Sequence, residues 1–239
     1  LVLPAITPGR YAAELADARL PQLVAAIAET GVARLRLSSI EPPDLTPELL
    51  SVLAETPAAC PHLHVPLQSG SDAVLAAMRR TYTTVQYVEW IDAAREALPG
   101  LAVTTDVMAG FPGETDEQAA ETLAFVERIG FAMLHVFRYS VRPGTPAAGM
   151  EQVDPGTRAC RAEALRALGE RMRTRHAHGR VGELAEVLVE RVVDGVAEGT
   201  TRDYLRVRFE AGDGDAPGTL VNVRLAVHDD GDLLHGRRV

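Results

Sequence analysis

Strand-like and helix-like segments alternate through the first 150 residues, and this alternation limits the possible folds more than any other feature of the chain. Short β-type runs at 1–3, 34–39, 63–67, 102–108 and 133–137 are each followed by a turn and an amphipathic stretch. Thr46-Pro47 reads as a helix N-cap with proline in the first turn. Thr83 with Gln86, and Thr115 with Gln118, have the spacing of capping boxes. Strands and helices in this order predict βα units on a parallel sheet.

The strands also alternate internally. Buried parallel strands usually read as continuous apolar runs. Here Arg34, Arg36 and Ser38 oppose Leu35 and Leu37, while His62, His64 and Gln68 oppose Leu63, Val65 and Leu67. Thr104 and Asp106 oppose Val103, Thr105 and Val107. Side chains alternate across a strand, so each strand presents one polar row. With helices covering the apolar side, those rows face a shared interior. The expected architecture is α/β, a partial, open parallel βα barrel with a polar lumen able to hold a ligand.

Residues 154–178 predict one long helix, capped by Asp154-Pro155 and rich in arginine. β-type runs at 184–190, 204–209 and 219–225, separated by Gly- and Asp-rich turns, predict a small antiparallel β-barrel. The expected organisation is a barrel domain at 1–150, an Arg-rich linker helix at 151–180 and a small β-domain at 181–239. The charge distribution follows the same division. The net charge of −9 argues against a protein that coats nucleic acid by bulk attraction. Residues 151–180 nevertheless carry 7 Arg against 4 acids, a local basic patch in a chain that has no lysine. Apolar stretches fall short of a membrane span and no export signal is visible near Leu1, which predicts a cytoplasmic protein with no membrane partner. Cys60 and Cys160 match neither a disulfide framework nor a zinc site, and they read as ordinary thiols with no metal role.

Four loops follow the strand C-termini, where parallel α/β folds bind ligands. They contain R-L-R-L-S-S-I-E-P from Arg34, H-V-P-L-Q-S-G-S-D from His64, T-T-D-V-M-A-G-F-P-G-E-T from Thr104 and R-P-G-T-P-A from Arg142. The small domain adds G-E-L-A-E-V-L-V-E from Gly182, G-T-T-R-D-Y from Gly199, Gly218-Thr219 and Gly236. Together these resemble the methylthiotransferase branch of the radical-SAM enzymes, and the C-terminal part resembles their TRAM domain. The likeness covers nearly the whole chain and is weak only over 1–17. Cys60-Pro61-His62-Leu63-His64 and Tyr82-Thr83-Thr84 look closest to the type acting on threonylcarbamoyladenosine, with the isopentenyladenosine type as the alternative.

The resemblance implies an enzyme that uses S-adenosylmethionine and two 4Fe-4S clusters to methylthiolate a modified adenosine beside the tRNA anticodon. One cluster would cleave the cofactor to a radical, and the protein would hold it near a flipped-out base. It implies that Ser38, Gln68, Ser69 and Asp106 bind the cofactor's polar groups. Gly110, Phe111, Phe137 and Tyr139 would lie near its adenine. Arg142, Arg171, Arg175, Arg202, Tyr204, Arg206 and Arg208 would contact the tRNA anticodon stem-loop, the last four from one strand face. Each position also has a structural reading. Asp106 could pair with Arg34 or Arg36, Phe111 and Phe137 could be core, and His62, His64 and His135 read as hydrogen-bonded strand residues rather than ligands.

The chain departs from the family where the cluster is concerned. No C-x3-C-x2-C spacing occurs, and the second barrel loop, T-G-x-N in the family, reads Pro4-Ala5-Ile6-Thr7. No catalytic residue and no cluster ligand is therefore assigned, and the chain alone is expected to be inactive. It could be a fragment, a split-gene product whose partner carries the cysteines, or a non-catalytic tRNA-binding module on a relic barrel.

Overall fold

The computed structural model describes residues 1–3, 19–226 and 234–239. Pro4-Ala5-Ile6-Thr7 therefore lies outside the described residues. Five parallel strands form the larger sheet: β1 (Val2–Leu3), β2 (Arg36–Leu37), β3 (His62–His64), β4 (Ala102–Ala109) and β5 (Met133–Arg138). β1 pairs with β2, β3 with β4 and β4 with β5, all in parallel. Bridges from Leu35 to Ala59 and from Ser39 to His64 join β2 to β3.

Helices α1 (Leu20–Glu29), α2 (Pro47–Glu55), α3 (Asp72–Ala77), α4 (Thr84–Ala97), α5 (Asp116–Ile129) and α6 (Pro155–Gly179) complete the first part. The predicted starts hold. The Thr83–Gln86 and Thr115–Gln118 boxes are both closed, Thr46 accepts from the Leu49 amide, and Asp154 accepts from the Gly156 and Thr157 amides. Each cap satisfies amides that the first helical turn leaves without partners.

The apolar row of each strand packs under the helices. Leu35, Leu37, Leu63, Val65, Leu67, Val103 and Val107 are all buried together with Tyr87, Phe125 and Ile91. The Tyr87 hydroxyl donates to the Val65 carbonyl, and that of Tyr82 reaches the Pro66 and Leu67 carbonyls at 3.2 Å. Tyr82 is thus scaffolding beneath the Gln68 loop.

β6 (Leu184–Val193), β7 (Val196–Thr201), β8 (Arg206–Glu210), β9 (Leu220–Ala226) and β10 (Leu234–Arg238) form a closed barrel in the order β10-β8-β7-β6-β9. It differs from the expected all-antiparallel barrel in one pairing, because β10 runs parallel to β8 where the barrel closes. Its core holds Val187, Val189, Val207, Phe209, Val223 and Leu225. At Gly199 a Cβ would lie 2.0 Å from the Leu188 carbonyl oxygen, so the crossing of β6 and β7 requires glycine.

Candidate functional site

The register brings the polar rows together on one face of the sheet. His64 lies opposite Thr104, Asp106 opposite His135, and Met108 opposite Phe137. His64 Nδ1 meets the Thr104 hydroxyl at 2.9 Å and its Nε2 meets Asp106 at 3.2 Å. Asp106 thus pairs with His64, and with neither Arg34 nor Arg36. Gln68 stands at the rim with φ 69°, held by its amide to the Asp106 carbonyl and by its carbonyl to the Met108 amide. A non-glycine residue in this left-handed region is uncommon and aims the side chain away from the strand direction. Ser38 directly follows β2.

The other expected cofactor residues divide. Ser69 is fully buried, and its hydroxyl is bonded to Thr122 on α5 and to the Ser71 amide. It braces the loop from outside the lumen, because the turn at Gln68 reverses its direction. The Gly110 amide is taken by Glu114, and a Cβ there would lie 2.2 Å from Arg158 Cγ. Phe111 is buried, edge-on to Tyr139 at 5.5 Å. Phe137 is 51% exposed on the open side of β5 and is not core. The Tyr139 hydroxyl is buried without a partner. A buried hydroxyl without a partner at a strand C-terminus has hydrogen-bonding capacity to spare for a ligand atom or a water. Asp106, Gln68 and Tyr139 therefore fit a polar, adenine-bearing cofactor such as S-adenosylmethionine.

They do not fit an iron–sulfur cluster. Cys60 is buried two residues before β3 while Cys160 is exposed on α6, and no group of three or more His, Cys, Asp or Glu with metal-site geometry occurs among the described residues.

Two arginines that sequence reasoning did not assign to the cofactor side secure its loops. Arg158 donates to the Tyr139 carbonyl at 3.0 Å, and Arg161 bonds Glu114 at 2.7 Å and Asp116 at 2.6 Å. Burial pushes the Glu114 carboxyl up while Arg161 and the Gly110 amide pull it down. The pairing of a helix arginine with an acid some 47 residues away carries no local sequence signal.

The opposite end of the lumen is closed by the small barrel. Arg34, nearly buried, donates to Glu186 Oε1 at 3.0 Å, to the Glu186 carbonyl at 2.6 Å and to the Thr200 carbonyl at 2.9 Å. Tyr204, at φ 75°, stacks on His62 with ring centroids 4.7 Å apart, and Arg36 covers it at 4.7 Å. Burial lowers His62 to about 3.

This geometry redistributes the expected RNA contacts. Arg202 donates to the Pro57 and Ala59 carbonyls and belongs to the junction, as does Tyr204. The four-residue face from Arg202 to Arg208 is broken because β8 begins only at Arg206, after the left-handed turn at Tyr204. Arg208 is bound to Glu198. Arg142, Arg171, Arg175 and Arg206 are exposed and have no partner among the described residues. Arg171 and Arg175 stand one turn apart on the solvent face of α6, whose opposite face buries Leu165, Leu168 and Met172.

No helix is long and apolar enough to cross a membrane among the described residues. Residues 11–126 match the Radical SAM superfamily. Over 94% of its length the chain is 39% identical to the threonylcarbamoyladenosine tRNA methylthiotransferase MtaB of Bacillus subtilis, covering 51% of that protein. It is 42% identical to the tRNA-2-methylthio-N(6)-dimethylallyladenosine synthase 1 of Mycobacterium marinum over 87% of its own length and 42% of the relative's. The chain thus spans about half the length of the curated relatives it matches. The radical-SAM coproporphyrinogen III oxidase of Escherichia coli superposes with a TM-score of 0.54 over 67% of this chain and 38% of that one, at 20% identity, which is a likeness of fold. The chain carries a radical SAM domain and is similar over most of its length to radical-SAM tRNA methylthiotransferases.

Proposed function

We propose that this chain is the S-adenosylmethionine- and tRNA-binding portion of a methylthiotransferase acting on a hypermodified adenosine beside the anticodon, with threonylcarbamoyladenosine as the base. The observation that carries the reading is the polar lumen row ending in the Asp106 carboxylate and the partnerless Tyr139 hydroxyl. Asp106, Gln68 and Ser38 bind the cofactor's ribose and aminoacyl groups, and Phe111, Phe137 and Tyr139 flank its adenine. When bound there, S-adenosylmethionine would supply the radical chemistry of the family. The protein's part is to orient it and keep water away. The cluster cysteines come from protein outside this sequence, and the chain alone does not turn over. The small barrel acts as the TRAM-like RNA-binding domain in a cytoplasmic enzyme. Arg142, Arg171, Arg175 and Arg206 pair with tRNA phosphates, since they are the expected RNA residues left free in this fold.

Calorimetric titration of the chain with S-adenosylmethionine tests the first half. Saturable binding that is lost in Asp106→Ala supports it, and no binding to the wild type removes it. Binding to an anticodon stem-loop tests the second half. Arg171→Glu with Arg175→Glu should weaken it and reduce its salt dependence by about one ion per arginine. Comparing stem-loops carrying threonylcarbamoyladenosine and isopentenyladenosine separates the two substrate types. Both titrations together separate the enzyme reading from a tRNA-binding module on a relic barrel, because the relic would bind RNA alone.

A further inference from the structure

An unbroken line of side chains runs along the lumen from the small barrel to Asp106. Tyr204 stacks on His62, and His62 Nε2 meets the Thr104 hydroxyl at 3.2 Å. The same hydroxyl meets His64 Nδ1 at 2.9 Å, and His64 Nε2 reaches Asp106 at 3.2 Å. All four members from His62 to Asp106 sit on adjacent strands whose register sets them one pleat apart. Nothing on the outer, helix-covered face of the sheet enters the line.

The hydrogens along this line can be assigned from one end. A carboxylate only accepts, so the hydrogen between His64 and Asp106 is on Nε2. With its Nε2 protonated, a neutral His64 ring accepts at Nδ1. Thr104 has one hydrogen and donates it to that Nδ1, so it must accept from His62. His62 then carries its hydrogen on Nε2 and leaves a bare lone pair on Nδ1. His62 Nδ1 is indeed the ring nitrogen that is buried without a partner. A donor left there would be an unmatched N–H in a dry site, which costs more than an unmatched lone pair with weak neighbours. The groups facing the line are Arg36, which covers Tyr204, Asp203, whose charge acts on His62, and His135, whose ring lies 5.5 Å from that of His64.

We propose that His64 is a positioning residue: Asp106 and Thr104 fix it as the Nε2–H tautomer, the small barrel holds through Tyr204 the His62 ring that commits the Thr104 hydrogen to His64, and the His64 Nε2–H orients the Asp106 carboxylate toward the lumen ligand. This rests on the reading that Asp106 holds S-adenosylmethionine. It adds a physical link between the domain assigned to RNA and the site assigned to the cofactor.

The test uses the full chain labelled with 15N-histidine, with long-range proton–nitrogen spectra recorded at pH 7. His62→Gln and His64→Gln assign the two signals. The wild type should show His64 as Nε2–H. Thr104→Val, which removes the hydroxyl and keeps the shape, should strip Nδ1 of its donor, shift the His64 Nδ1 signal and weaken S-adenosylmethionine binding by about tenfold. Thr104→Ser should restore both. Tyr204→Ala should move the His62 and His64 signals while circular dichroism stays unchanged. His64 found as Nδ1–H or as the doubly protonated ring in the wild type overturns the proposal, as do His64 nitrogen signals indifferent to both Thr104→Val and Tyr204→Ala. If the wild type fails to bind S-adenosylmethionine, the cofactor reading falls, while the spectra still decide whether the barrel sets His64.

Discussion

Arg161 on α6 reaches Glu114 in the loop after β4 at 2.7 Å, with only 3% of the Glu114 side chain exposed. Glu114 in turn accepts the Gly110 amide at 3.0 Å, so a helix otherwise read as an RNA-facing strut fixes the backbone of a cofactor-side loop. Arg158, one turn earlier, fills the space over Gly110 and binds the Tyr139 carbonyl. Two neighbouring loops at the strand C-termini are therefore fastened to the same helical turn.

Arg161→Ala removes the cation and leaves Glu114 buried, which should lower unfolding stability by about 3 kcal/mol. Urea denaturation followed by circular dichroism measures it. Glu114→Gln combined with Arg161→Ala should recover part of the loss, because the stranded charge is then gone. Cofactor affinity should fall in the single variant, since the Gly110–Gly113 turn loses its anchor.

Gly110 has φ 72° and faces the Arg158 side chain with no room for a methyl group. Gly110→Ala should cost about 1–3 kcal/mol through strain and displacement of Arg158. Gly113, equally left-handed at φ 78° but with open space around it, should cost less on the same change. Thermal melts of the two variants compare clash with conformational strain.

His62 is lowered to about 3, first by burial and then by the neighbouring charge of Arg36. The unfolded chain therefore takes up a proton near pH 6.5 that the folded chain refuses until about pH 3. The stability from this group is fully present above pH 6.5 and is lost as the pH falls through that window, by a few kcal/mol in total. Unfolding midpoints in urea between pH 7 and pH 4 should fall steadily. His62→Phe, which keeps a ring against Tyr204, should flatten the dependence.

Asp203 behaves in the opposite sense. Burial alone would raise it, but the nearby His176 ring at 3.5 Å, the hydrogen bond from Thr201 and the charge of Arg180 outweigh this and hold it below the usual carboxylate range. Its contribution is present above the unfolded value of 3.8 and disappears as the pH falls below it. Because Arg180 and His176 lie on the α6 side and Asp203 in the small barrel, the element lost is the fastening between them. Asp203→Asn should weaken that fastening at neutral pH, read as earlier proteolytic cleavage after α6, and should remove the acid dependence below pH 3.8.

The lumen was readable in sequence because period-two alternation survives in short strands. Arg36, His62, His64, Thr104 and Asp106 all carry polar groups on the face that Leu37, Leu63, Val65 and Val107 avoid. The caps at Thr46, Thr83, Thr115 and Asp154 were readable for the same local reason, since each depends on residues within one helical turn. β7 and β10 were not read as strands. Val196–Thr201 contains glycine and threonines in place of an apolar row, and Leu234–Arg238 contains a single aliphatic residue. Both are strands because neighbours on the closed barrel supply their hydrogen bonds.

The site was legible by region and less so by residue. Ser69 sits in the right loop but turns outward to Thr122, because Gln68 takes the left-handed conformation. Tyr204 and Arg202 carry the chemistry of an RNA-binding strand, yet they pack against His62 and the Pro57–Ala59 backbone.

The sequence by itself determined the βα order, the polar lumen face, the capped helix starts and the family resemblance, because each rests on local periodicity or on contiguous motifs. Only the tertiary structure decided which polar residues meet. The pairings of Arg34 with Glu186, Arg161 with Glu114 and His64 with Asp106 join segments far apart in the chain. Their partners are chosen by register and domain docking, which no local run of residues encodes.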